Sequence, residues 1–149
     1  MPDQIKGLHH VTSLASDARS NNAFFTDILG LRRVKKTVNF DAPDVYHLYY
    51  GDETGSPGSV MTYFPFANAA PGRKGAGEVG ATRFAIPKGS AQRWADRLAT
   101  AGTRDATLGT AFGETELRFS GPDGDGFALV ETDDDRAPWT GGGLSEDMA

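Results

Sequence analysis

Two adjacent histidines, His9 and His10, stand in the run Gly7-Leu8-His9-His10-Val11-Thr12-Ser13-Leu14. Imidazoles can ligate a divalent metal or move a proton near neutral pH. Read as a strand, residues 8 to 14 alternate faces: Leu8, His10, Thr12 and Leu14 share one, and His9, Val11 and Ser13 the other. Far along the chain, Phe127-Ala128-Leu129-Val130-Glu131-Thr132 is a mostly apolar run with one carboxylate. An imidazole and a carboxylate on two strands suit Fe(II), Mn(II) or Zn(II). The competing reading of a strand histidine is a hydrogen-bonded core residue. Thr12 is either a hydrogen-bonding neighbour of a ligand or a plain β-former. His47 alternates with Tyr49 against Tyr46, Leu48 and Tyr50, as a pocket residue or a half-buried one.

Composition limits what can position these groups. A chain of 149 residues with 38% apolar content can bury one ordinary core, or two small ones. Acidic residues outnumber Lys and Arg by 20 to 15, which argues against nucleic acid or an anionic membrane as the main partner. With no Cys, any metal must rest on nitrogen and oxygen ligands. No apolar run approaches the ~18 residues of a membrane helix, and the start lacks a signal-peptide pattern, so a soluble cytoplasmic protein is expected.

The elements repeat. A strand over 8–14 precedes Ser16-Asp17, whose side chains can cap a helix with an apolar stripe of Phe24, Phe25, Ile28 and Leu29, closed by Gly30. Strands follow over 31–38, 45–50 and 59–66. After a Gly-rich connector with Arg73 and Lys74, the order recurs about 70 residues on. A strand over 79–86 leads to a helix capped by Ser90, with Ala91, Trp94, Ala95 and Leu98 on one face. Strands near 103–108, at 115–120 and at 127–132 complete the second unit. The expected fold is therefore α+β, with two tandem βαβββ modules forming an open, cupped mixed sheet with helices on the outer face. Module one spans 5–66, the connector 67–78, module two 79–132 and an acidic, Gly-rich tail 133–149. Gly75-Ala76-Gly77-Glu78-Val79-Gly80 is no dinucleotide fingerprint, because it precedes a strand.

The duplication, the His9-His10-Val11 opening, Phe24-Phe25-Thr26-Asp27-Ile28-Leu29-Gly30-Leu31, and Gly121-Pro122-Asp123-Gly124-Asp125-Gly126 before the last strand resemble the vicinal oxygen chelate superfamily. That superfamily includes glyoxalases, extradiol dioxygenases, fosfomycin resistance enzymes and bleomycin-binding proteins. The stretches 34–41, 46–58 and 75–82 are similar to the N-terminal half of ring-cleaving dioxygenases that act on hydroquinones.

The resemblance implies a metal-dependent dioxygenase of aromatic-compound degradation, or the N-terminal half of one, acting on a small aromatic substrate and O2. Fe(II) is the implied cofactor, with Mn(II) the alternative. His10 and Glu131 map to metal ligands; the middle ligand position falls on Ala81, which has nothing to donate. The resemblance makes His9 an acid-base candidate, beside His47, Thr12 and Tyr49 as further catalytic candidates. A homodimer, or a complementary C-terminal half, would then complete the ligand set. The alternatives are a glyoxalase-type lyase or isomerase and a metal-free, drug-binding module of the same fold.

Overall fold

The computed structural model describes residues 4–103 and 105–149. They form β1 (His10–Ala15), α1 (Ala18–Ala23), a π-helical turn (Phe24–Ile28), β2 (Arg32–Val38), β3 (Tyr46–Gly51) and β4 (Val60–Pro65). Then come β5 (Thr82–Ile86), α2 (Ala91–Thr100), β6 (Thr107–Ala111), β7 (Glu114–Ser120) and β8 (Gly126–Glu131). The chain divides into two compact units between Ala69 and Ala70. Each carries a four-stranded mixed sheet, ordered β1-β4-β3-β2 in the first and β5-β8-β7-β6 in the second. In both, the first strand runs parallel to the fourth and the remaining pairs are antiparallel. The βαβββ repeat and the α+β class are as the sequence leads one to expect.

In module one, Asp17 caps α1 by accepting from the backbone N–H groups of Arg19 and Ser20 at 3.1 and 2.8 Å. The apolar stripe then widens into the π-turn, where Leu29 N–H donates to Phe24 O and Leu31 N–H to Phe25 O. Gly30 ends it at φ 73°, a left-handed conformation that costs a glycine nothing. The widened turn carries Phe25 onto the sheet, stacked 4.7 Å from Tyr50 and tilted 5.1 Å from Tyr63. Alternation puts Leu48, Tyr50, Met61 and Tyr63 on this buried face. The opposite face carries His10, Thr12, Thr62, His47 and Tyr49.

Module two is built on the same pattern with different chemistry. Trp94 and Leu98 of α2 are buried, as are Leu117, Phe119, Phe127 and Leu129 of the sheet. Its helix start corrects one expectation: the Ser90 side chain does not cap α2. The Ser90 hydroxyl donates instead to Pro87 O at 2.6 Å, and Glu131 supplies the cap by accepting from Ala91 N–H at 2.8 Å. Strand β6 begins at Thr107, later than its sequence suggests, because the chain is still closing α2 through Thr103 N–H to Leu98 O. Arg104, within the expected strand, lies outside the described residues. The tail folds back on α2: Trp94 Nε1–H donates to Met148 O at 2.9 Å, and Arg93 pairs with Asp147.

Candidate functional site

The polar face of module one is assembled by strand pairing. Thr12 stands opposite Thr62 on the parallel β1–β4 ladder, and Tyr49 stands opposite Thr62 on the antiparallel β3–β4 ladder. Three strands therefore converge on one threonine. Thr12 Oγ1 lies 2.8 Å from Thr62 Oγ1, and His47 Nε2 lies 3.1 Å from the same oxygen. The Tyr49 hydroxyl is 2.9 Å from His47 Nδ1. Both imidazole nitrogens of His47 thus have partners, and its ring lies against Phe64 and Tyr49, with centroids at 4.0 and 4.2 Å. Burial lowers the His47 pKa, helped by the charges of His10 and Lys35. The ring is accordingly neutral at neutral pH and able to accept a proton.

His10 and His9 lie at the rim of this face, both exposed. Strict alternation would turn His9 away; it precedes β1, and its carbonyl accepts from Gly58 N–H at 2.8 Å. Its Nδ1 comes within 3.0 Å of His10 Nδ1, with the rings edge to face. One nitrogen must donate and the other accept, so the two share a single proton at that contact. If His10 is the donor, its Nε2 is left as a lone pair pointing to a ligand, the usual state of a metal-binding imidazole. The structure thus brings His9 to His10, and Thr12 to His47 and Tyr49. Thr62, buried to 0% exposure, had no signal in the sequence, since its importance comes from lying between two ladders.

Glu131 belongs to module two and faces its helix. Alternation sets it with Phe127 and Leu129, and its carboxylate is engaged by the α2 backbone. A carboxylate on the other face of β8 would have to stand at Ala128 or Val130. Ala81 lies just ahead of β5 and by alternation shares the face of Arg83. That face holds an ion network: Arg83 lies 3.2 Å from Glu116 and 3.5 Å from Glu114, and Arg118 also pairs with Glu116. Among the described residues, no three His, Cys, Asp or Glu side chains gather closely enough to hold a metal ion. His10 therefore fits as one ligand, while the described residues do not provide a facial triad of two His and one carboxylate.

Strand order, the duplicated module and the imidazole-bearing first strand define a class. The chain belongs to the Glyoxalase/Bleomycin resistance protein/Dioxygenase superfamily, whose model matches residues 7–129. It is 41% identical over 145 residues to MhqE of Bacillus subtilis (strain 168), a ring-cleaving dioxygenase by assignment. That alignment covers 97% of this chain and 48% of MhqE. It is 37% identical over 144 residues to the chlorohydroquinone/hydroquinone 1,2-dioxygenase of Sphingobium indicum, covering 93% of this chain and 45% of that enzyme. A crystal structure of a dioxygenase by assignment from Bacillus subtilis superposes with a TM-score of 0.90 at 41% identity, over 96% of this chain and 46% of that one. The chain spans about half the length of the curated relatives it matches. No described helix is long and apolar enough to cross a membrane.

Proposed function

We propose that this chain is a metal-dependent ring-cleaving dioxygenase of hydroquinone- or catechol-like substrates, or the N-terminal half of one. The observation that carries the reading is the hydrogen-bonded set Thr12–Thr62–His47–Tyr49 beside an imidazole pair, in a chain similar to hydroquinone dioxygenases. Fe(II), or Mn(II), would be held by His10 together with ligands from a second copy or a complementary half, and would supply the electronic link between the aromatic diol and O2. The chain's own residues do the remaining work. Thr12 hydrogen-bonds a substrate oxygen, and the neutral His47 ring holds the hydroxyl chain in place and can accept a proton. His9 orients His10 through their shared nitrogen contact. Tyr49, with Lys35 5.5 Å from its ring centroid, bounds the far side of the face.

Oxygen uptake with hydroquinone tests it. Fe(II)-loaded protein is assayed alone and mixed with the remaining half of MhqE, with His10→Ala in parallel. Uptake with ring-opened product in either condition, abolished by His10→Ala, supports the reading. Uptake absent in both conditions, or unaffected by the substitution, sinks it. A metal-free binding module is the second reading, favoured by Ala81 at the middle ligand position and by the Glu131 helix cap. It predicts aromatic-ligand binding that is indifferent to chelator.

A further inference from the structure

Thr62 is fully buried, yet its hydroxyl touches two side chains from two different strands: Thr12 at 2.8 Å and His47 Nε2 at 3.1 Å. A threonine hydroxyl has a single hydrogen to give. Donated to His47, it requires Nε2 to be a lone pair, so the neutral ring carries its proton on Nδ1 and donates to the Tyr49 oxygen. Thr12 must then turn its own hydrogen inward to Thr62, leaving only lone pairs toward solvent. Donated to Thr12 instead, it requires His47 Nε2–H to donate to Thr62 and the Tyr49 hydroxyl to donate to Nδ1. The Thr12 hydrogen is then free to face outward. Mixed arrangements leave two hydrogens, or none, at one contact.

We propose that Thr62 is a positioning residue that couples the hydrogen-bonding character of Thr12 toward a ligand to the tautomer of His47 and the orientation of the Tyr49 hydroxyl. A phenolic O–H selects neither form, because Thr12 keeps an outward lone pair in both. A phenolate or carbonyl oxygen that accepts from Thr12 selects the Nε2–H form. In the exchange His47 releases one proton at one nitrogen and gains one at the other, with solvent as carrier, so the ring stays neutral and no oxidation occurs. The ring also lies against Phe64 and Tyr49, which restrains it within the chain. The identity of the ligand rests on the aromatic-diol reading above; the coupling itself does not.

The test is 15N NMR of histidine-labelled protein, reading the two ring-nitrogen shifts of His47 in wild type, Thr62→Ser and Thr62→Val. Acetophenone, an aromatic ketone that can only accept, is the redox-inert probe, and the amide spectrum establishes that each variant is folded. Thr62→Ser, which keeps the hydroxyl, is expected to match wild type: one dominant tautomer, shifted toward Nε2–H on saturation with acetophenone. Thr62→Val is expected to lose that preference before any ligand is added, and to be unresponsive to acetophenone. Thr12→Val, which spares the buried position, is expected to abolish the acetophenone response and serves if Thr62→Val does not fold. Unchanged ligand-free tautomer populations in Thr62→Val overturn the coupling, as does a normal acetophenone response in Thr12→Val. Failure of acetophenone to bind wild type overturns the aromatic-ligand reading and leaves the ligand-free comparison decisive for Thr62.

Discussion

At the scale of single residues, module one turns the same alternation to two ends. Odd and even positions of β3 separate Leu48 and Tyr50, which face the helix, from His47 and Tyr49, which face the hydrogen-bonded set. Tyr50 has a cost attached. It is 0% exposed, and its hydroxyl has no hydrogen-bond partner among the described residues. Burial pushes its pKa well above the ordinary phenol range, with Arg33 only partly opposing. An unpaired buried hydroxyl costs on the order of 1 kcal/mol or more. Tyr50→Phe should therefore raise stability by about 1 kcal/mol in urea denaturation, since the ring stack on Phe25 is kept. A lower midpoint would show that the hydroxyl is satisfied. His47 gives a pH dependence with a definite sign. Its folded pKa lies below the unfolded value of 6.5, so above pH 6.5 both states are neutral there. As pH falls below that value the unfolded chain takes up the proton first and stability is lost. His47→Phe should flatten the stability profile between pH 6.5 and the lowered folded pKa, and an unchanged slope would contradict the assignment.

At the scale of elements, the legible and the hidden parts separate by range. The stripe Phe24, Phe25 and Leu29, the Asp17 cap and Gly30 are local signals, and each does in the structure what its spacing implies. The π-turn is not legible, because its wider winding is set by docking Phe25 on Tyr50 and Tyr63, residues far off in sequence. The α2 cap fails for the same reason. Ser90 has the right type and place, but a carboxylate 40 residues away takes the N–H of Ala91 and the serine turns to Pro87. Glu131→Ala should then destabilise module two by about 1 kcal/mol, the usual worth of a helix cap. Ser90→Ala should leave the α2 N–H groups satisfied, and amide exchange at Ala91 distinguishes the two. The β6–β7 hairpin offers the opposite change. Phe112 sits at φ 54° and is 92% exposed at its tip, a backbone conformation that costs a bulky residue about 1–2 kcal/mol. Phe112→Asn should raise the melting temperature, while a fall would mean that its contact with Arg83, at 5.3 Å, outweighs the strain.

At the scale of the whole molecule, two copies of one βαβββ plan carry different faces. Module one presents histidines, threonines and a tyrosine; module two fills the corresponding face with Arg83, Glu114, Glu116 and Arg118. The duplication itself was readable, because turns and apolar periods recur in order. The division of labour was not, because alternation decides which face of the sheet each β8 residue takes, and Glu131 falls on the helix side. The proposed metal would rest on His10 in a chain spanning about half the length of the ring-cleaving dioxygenases it matches. The decisive measurement is iron bound per chain after anaerobic Fe(II) loading and desalting, with the remaining half of MhqE present, for wild type and His10→Ala. A ring-cleaving role predicts near-stoichiometric iron in wild type and its loss in the variant. Equal iron in both, or none in either, would contradict it.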